Sequence, residues 1–386
     1  MTGTLEVLPV RSGPATRETL PQLERALAGD GPALLPVPAD DDREIRRLTD
    51  ALHPGEPIDG STALVVATSG TTGTPKGALL TAAALRASGE ATHARLGGPG
   101  SWLLALPAHH IAGIQVLLRS LLAGTEPVIV DVATGFDPTL LPGAIAAMTG
   151  PRRYTSLVPT QLIKALEHPA ATAALAELDA VLLGGAATPA PVLERARTAG
   201  INVVRTYGMS ETCGGCVYDG VPLDGVLVRI ENSRVLLGGP VLASGYRGLP
   251  DHPAFAEPGW FRTDDAGLLS DGMLSITGRL DEAISTGGLT VVPQVVEAAL
   301  SAHPAVAECA VFGVPDARLG QRVVAAVVPA AGTAPTLVDL RAHVERTVDS
   351  TAAPRELHLM PALPLRGPGK VDRRALAEQF TGPATV

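Results

Sequence analysis

Apolar positions divide the chain into three stretches of different rhythm. Between residues 63 and 206, short apolar or β-branched runs alternate with longer stretches of helical pattern. Strands are predicted at 63–68, 102–106, 127–131, 154–158, 180–183 and 202–206. Helices are predicted between them at 81–96, 113–122, 140–149, 161–166 and 191–199. Thr81 can cap the first helix with its hydroxyl, and Pro189 and Pro191 suit the opening of the last, where a missing N–H costs least. Such alternation predicts an α/β fold with a mostly parallel sheet covered by helices. After Gly208 the runs shorten and are punctuated by Gly and Asp. Residues 226–230, 235–237 and 273–276 read as strands of a small antiparallel β subdomain.

Beyond Asp281 a third rhythm begins. A helix follows Pro293, then strands at 306–312 and 323–328, a helix at 337–348, a strand at 356–360 and a final helix at 373–380. These form an α+β unit of common domain size. The expected division is a large N-terminal domain over residues 1–281 and a small, mobile C-terminal domain over 282–386. The pattern assigns no element before residue 63.

Composition narrows the classes. With 386 residues and 46% apolar content, the chain can bury a sizeable core. Aromatics are only 3%, so that core must be built from Ala, Val and Leu. No apolar run is long enough to span a membrane, and residues 1–14 lack a basic stretch followed by an apolar one, so no secretory signal is expected. Net charge is −9 with 30 scattered Lys and Arg, which argues against a nucleic-acid groove. Three cysteines cannot form a complete disulfide set and fit a reducing cytoplasm.

The densest chemistry lies in Thr68-Ser69-Gly70-Thr71-Thr72-Gly73-Thr74-Pro75-Lys76-Gly77, directly after a predicted strand. Glycines let backbone N–H groups approach a ligand, and hydroxyls with one ammonium add donors without any acid, which suits a polyphosphate. Pro75 and Gly77 flank the lysine, so this is no Walker A loop. A Gly/Thr-rich surface turn would have the same composition. Arg119 stands in an otherwise apolar run from Ile114 to Leu122, and a charge there needs a partner. A substrate carboxylate or an internal Asp or Glu would each serve. Cys213-Gly214-Gly215-Cys216 has redox spacing but no thioredoxin-like setting, and reads as a close-packed wall of small residues.

The phosphate loop resembles the signature of the adenylate-forming superfamily, which comprises acyl- and aryl-CoA synthetases, luciferases and adenylation domains. Further segments are similar to that family in its own order: Leu106-Pro107-Ala108-His109-His110, Gly184-Gly185-Ala186-Ala187, Tyr207-Gly208-Met209-Ser210-Glu211-Thr212, Arg262-Thr263-Asp264-Asp265, Gly278-Arg279-Leu280-Asp281 and Pro368-Gly369-Lys370-Val371-Asp372-Arg373. Six matches in order, over residues 63–376, leave little room for chance. The spelling of residues 109–119 and 211–220 most resembles the o-succinylbenzoate–CoA ligases of menaquinone biosynthesis.

The resemblance implies ATP-dependent acid–thiol ligation through an acyl-adenylate, with ATP and coenzyme A as substrates, an aromatic diacid as the acid and Mg²⁺ as cofactor. Another aryl- or acyl-CoA ligase, or an enzyme loading a carrier-protein thiol, would share the first half-reaction. It implies ATP binding by Thr68, Ser69, Gly70, Thr71, Thr72, Gly73 and Lys76, with Gly185, Tyr207 and Gly208 near adenine and Thr212 near the α-phosphate. Asp265 and Arg279 would meet the ribose, and Glu211 the metal. Gly184, His110 and Arg119 would line the acid pocket. Lys370, with His110 and Glu211, would carry catalysis, Asp281 would be the hinge, and Gly287 and Gly288 would line the thiol tunnel. The partners implied are small molecules, with a homo-oligomer also open. Two features depart from the family: the chain is short before the phosphate loop, and Asp264 stands where a glycine is usual.

Overall fold

The computed structural model describes residues 2–68, 75–366 and 370–381. The chain divides into two compact units. The first gathers residues 1–229, 236–262 and 270–274; the second gathers 230–235, 263–269 and 275–386.

In the first unit the main sheet has seven strands in the order Val221–Pro222, Gly214–Tyr218, Val203–Met209, Ala180–Leu183, Arg153–Leu157, Ser101–Leu104, Val128–Ile129. The last five are parallel to their neighbours, and Gly214–Tyr218 turns back antiparallel against Val203–Met209. Strand Ala180–Leu183 is buried at every position, which explains its uninterrupted apolar spelling. Leu103, Leu157, Val181 and Leu183 pack with Leu141, Ile145, Leu162 and Leu175 from helices on one face, an aliphatic core of the kind the composition predicts. Helix Ala82–Arg95 is capped by Thr81, whose hydroxyl accepts from the Ala84 N–H, and helix Ala190–Thr198 opens with Pro191 in its first turn.

One expectation needs correction. Residues 63–68 do not join that parallel array. Strand Thr62–Thr68 lies in a second, five-stranded sheet of order Pro57–Asp59, Thr2–Val10, Ala33–Pro38, Thr62–Thr68, Lys76–Thr81. The first sixty residues therefore supply three strands that the pattern did not reveal. The phosphate loop joins two antiparallel strands, whose last pair is Thr68 with Lys76.

Strands Leu227–Glu231, Arg234–Gly238, Trp260–Ser270 and Met273–Arg279 form a four-stranded sheet in that order. In the second unit the long strands Val306–Asp316 and Gly320–Pro329 pair antiparallel and are buried on both faces. Val311, Val323, Ala325 and Val327 face Val296, Leu300, Leu340 and Val344, while Ala310, Phe312, Val324 and Ala326 face Leu376. Ile284–Thr286 and Leu289–Val291 form a hairpin beside them. No helix among the described residues is long and apolar enough to cross a membrane.

Candidate active site

Four neighbouring parallel strands of the seven-stranded sheet end on one edge. Residues 106–110 follow Ser101–Leu104, Val158 follows Arg153–Leu157, Gly184 and Gly185 follow Ala180–Leu183, and Tyr207 to Thr212 close Val203–Met209. In open α/β sheets ligands bind beyond such carboxyl ends. Gly208 lies at a register shift against the antiparallel strand, and a side chain there would collide with the Gly214 carbonyl. Its glycine is thus required by close backbone approach.

The next residues form a tight turn, Ser210–Thr212. Glu211 is buried at 7% exposure. Its Oε1 accepts from the Tyr246 phenol at 2.6 Å, and its carbonyl accepts from the Ala243 N–H at 2.8 Å. Thr212 is fully buried, and its hydroxyl donates to the Gly214 carbonyl at 2.7 Å and accepts from the Met209 N–H at 3.0 Å. That commits the hydroxyl to holding the turn, so a direct side-chain bond to the α-phosphate is not what this geometry offers.

Lys76 opens the strand returning from the phosphate loop. Its Nζ lies 3.0 Å from His252 Nε2 and 5.3 Å from the centroid of the Tyr246 ring. Residues 69–74 of the loop, and with them Ser69, Gly70, Thr71, Thr72 and Gly73, lie outside the described residues. Tyr246 and His252 were not singled out in the sequence. A signal existed: in a chain with four tyrosines, a buried one must place its hydroxyl somewhere.

Helix Ile111–Leu122 brings Gln115 and Arg119 one turn apart on the same face, both buried. Arg119 Nη2 approaches the Tyr218 hydroxyl at 3.4 Å and its guanidinium lies 5.1 Å from the centroid of Trp102. Gln115 Nε2 donates to the Cys213 carbonyl at 2.6 Å. Arg119 Nε and Gln115 Oε1 are buried with no hydrogen-bond partner among the described residues. No carboxylate among the described residues pairs with Arg119. Burial pulls its pKa down, and burial together with the Arg119 charge holds nearby His93 neutral with a pKa of about 4. His110 is exposed at the N-terminal end of the same helix, its ring 4.1 Å from that of His109. The structure therefore puts His110 and Arg119 at opposite ends of one helix.

Cys213 and Cys216 are both completely buried free thiols, and burial raises both pKa values, Cys216 to about 12. Thiols held protonated in this way make a wall, as expected, and not a redox pair.

Strand Trp260–Ser270, of which residues 263–269 belong to the second unit, alternates so that Thr263 and Asp265 face inward and Asp264 outward. Asp265 is 6% exposed and accepts from Arg279 Nη1 at 3.1 Å. Arg279 also grips both oxygens of Asp281, at 2.8 and 2.7 Å. Asp264 makes an exposed ion pair with Arg234 at 3.1 Å, which accounts for its charge. Gly287 and Gly288 form the two-residue turn between Thr286 and Leu289, with φ +58 and +81. Such a pair is what a type I′ hairpin requires. Lys370 opens the short strand Lys370–Val371, opposite Leu365–Arg366. Its side chain lies outside the described residues. The chain just beyond this strand is well anchored: Asp372 caps helix Arg373–Gln379, and Arg373 bridges Glu282 at 2.8 Å and Glu297 at 2.8 Å.

No group of three or more His, Cys, Asp or Glu among the described residues could by itself hold a metal ion. Glu211 is a hard oxygen donor of the kind Mg²⁺ takes singly alongside phosphates and water, so its setting fits that ion.

Residues 11–240 match the model of the AMP-binding enzyme family, and residues 295–370 match the AMP-binding enzyme C-terminal domain. A Mycobacterium tuberculosis protein named as a probable 2-succinylbenzoate–CoA ligase is 61% identical over 98% of this chain and 100% of its own. Among solved structures, wild-type Escherichia coli MenE with a bound m phenylether-linked analogue of OSB-AMS is 28% identical, with a TM-score of 0.77 over 98% of this chain and 88% of that one. The o-succinylbenzoate CoA synthetase (MenE) of Bacillus subtilis, in complex with the acyl-adenylate intermediate OSB-AMP, is 26% identical, with a TM-score of 0.72 over 96% and 82%.

Proposed function

This chain belongs to the AMP-binding enzyme family, and from that premise we propose that it is an o-succinylbenzoate–CoA ligase of menaquinone biosynthesis. It activates o-succinylbenzoate with ATP as an acyl-adenylate and transfers the acyl group to coenzyme A in the cytoplasm. The observation that carries the choice of acid is Arg119, a buried cation without a carboxylate partner among the described residues. The second carboxylate of the diacid supplies the missing charge. The 61% identity over the whole length of a named relative supports the same assignment.

In the first half-reaction a substrate carboxylate oxygen attacks the α-phosphorus and pyrophosphate leaves. Both reactants are anions, so the site must gather positive charge and hold the oxygen in line. Lys76 and the hydroxyl-rich loop take the phosphates, Gly184, Gly185, Tyr207 and Gly208 form the wall for adenine and acid, and Asp265 accepts from the ribose hydroxyls. Glu211 would hold Mg²⁺, which supplies charge neutralisation at the phosphates when bound. Lys370 pairs with the attacking carboxylate and the charge developing on the α-phosphate. Arg279 keeps Asp265 oriented and ties it to Asp281, the proposed hinge.

In the second half-reaction the coenzyme A thiolate attacks the acyl carbon and AMP leaves. Gly287 and Gly288 line the thiol's approach, and His110 stands at the mouth of the acid pocket. The test is ATP–pyrophosphate exchange over a panel of acids, followed by addition of coenzyme A. Exchange should require Mg²⁺ and be strongest with o-succinylbenzoate, and coenzyme A should discharge the adenylate as a thioester. Formation of ADP and phosphate, or discharge only by a carrier-protein thiol, would refute the assignment.

A further inference from the structure

Two nucleotide motifs far apart in sequence meet on a side chain that belongs to neither. Residues 243–247 are stitched by backbone bonds to the strand leaving the phosphate loop: Ser244 N–H to the Leu79 carbonyl at 2.9 Å, Leu79 N–H to that of Gly245 at 3.0 Å, and Arg247 N–H to that of Gly77 at 2.8 Å. One residue earlier, the Ala243 N–H donates to the Glu211 carbonyl. The segment therefore lies between Lys76–Thr81 and the Glu211 turn.

Tyr246 crosses that gap with its side chain. It is 6% exposed, and its phenol reaches Glu211 Oε1 at 2.6 Å, in the range of charge-assisted O–H···O⁻ bonds. Its ring packs edge-on against His252 and Phe255, with centroids 4.7 and 5.2 Å apart. The Lys76 ammonium lies near the same ring and is bonded to His252. The hydroxyl thus holds the carboxylate while the ring and its neighbour hold the lysine.

A glutamate on a turn has several rotamers, and a ligand that must choose one loses affinity to that ordering. A buried hydroxyl fixed by its own ring packing removes the choice in advance. We propose that Tyr246 is a positioning residue for magnesium–ATP, orienting Glu211 and coupling it to Lys76 of the phosphate loop. This rests on the reading of Glu211 as the carboxylate that meets Mg²⁺.

Tyr246→Phe keeps the ring and removes only the hydroxyl. ATP binding is measured by calorimetry with Mg²⁺ and with EDTA, alongside Mg²⁺ titrations of pyrophosphate exchange and a thermal melt. A hydrogen bond to a charged group contributes roughly 1.5–3 kcal/mol, about a ten- to hundredfold effect. The variant should bind ATP at least tenfold more weakly with Mg²⁺, bind it as wild type does in EDTA, and need more Mg²⁺ for exchange. In a Glu211→Gln background the same substitution should add little, because the two residues act as one unit. Equal loss with and without Mg²⁺, unchanged binding, full additivity, or failure to fold would each overturn the positioning role while leaving the function intact. Absence of Mg²⁺-dependent exchange in the wild-type protein would instead defeat the functional reading, and the positioning role with it.

Discussion

Among the described residues, no carboxylate offsets the charge of Arg119. Trp102 and Tyr218 offer an aromatic face and one long hydrogen bond, and Nε has no partner among the described residues. A buried cation in that state is poised for an anion from outside. Arg119→Gln should therefore weaken kcat/KM for o-succinylbenzoate about ten- to a hundredfold, the cost of roughly 1.5–3 kcal/mol for one charged hydrogen bond. A mono-acid analogue lacking the second carboxylate should lose far less, with ATP binding little changed. Equal loss for both acids in steady-state assays would contradict the pairing. The conspicuous charge of Arg119 was legible in sequence, because it interrupts an apolar run. Tyr246 was not: its role depends on a contact with Glu211, 35 residues away, that no local spacing encodes. Asp264 and Asp265 are told apart by the motif they resemble, but the pairing of Asp264 with Arg234, 30 residues away, was not legible in local spacing.

Among the elements, strand Ala180–Leu183 was legible because burial at every position gives it a continuous apolar run. The second sheet was not, since Pro9, Pro36 and Pro38 interrupt its pattern and the return strand Lys76–Thr81 comes directly after the glycine-rich loop. The hairpin at Gly287-Gly288 changes how the thiol tunnel can be tested. Leucine at Gly288 would be strained at φ +81 whatever the tunnel does. Gly287→Asn creates the Asn-Gly pair that a type I′ turn favours, and a Cβ there meets only Leu319 at 3.6 Å. That variant should keep its melting temperature and its pyrophosphate exchange but slow thiol transfer. Lys370→Ala should do the reverse, abolishing most adenylation while sparing transfer from preformed acyl-adenylate. Measuring both half-reactions in both variants checks the assignment: matching losses in the two would contradict it.

For the whole molecule, the residues proposed to carry the chemistry are divided between the two units. Lys76, Glu211 and Arg119 belong to the first, and Asp265, Arg279 and the Lys370 strand to the second. Arg279 binds the carboxylate of the proposed hinge residue, Asp281, and Arg373 binds that of its chain neighbour Glu282. The class of fold was readable from the rhythm of apolar runs, whereas the division into units depends on strands shared around residues 230–279, which no local pattern records. The central claim is that the acid is activated as an adenylate before it meets the thiol. If so, the bond between α-phosphorus and carboxylate oxygen outlives the thiol step, and that oxygen departs with AMP. With o-succinylbenzoate carrying ¹⁸O in both carboxylates, mass spectrometry of the products should find one labelled oxygen in AMP and none in pyrophosphate. Label in inorganic phosphate formed with ADP, or AMP without label, would contradict the account.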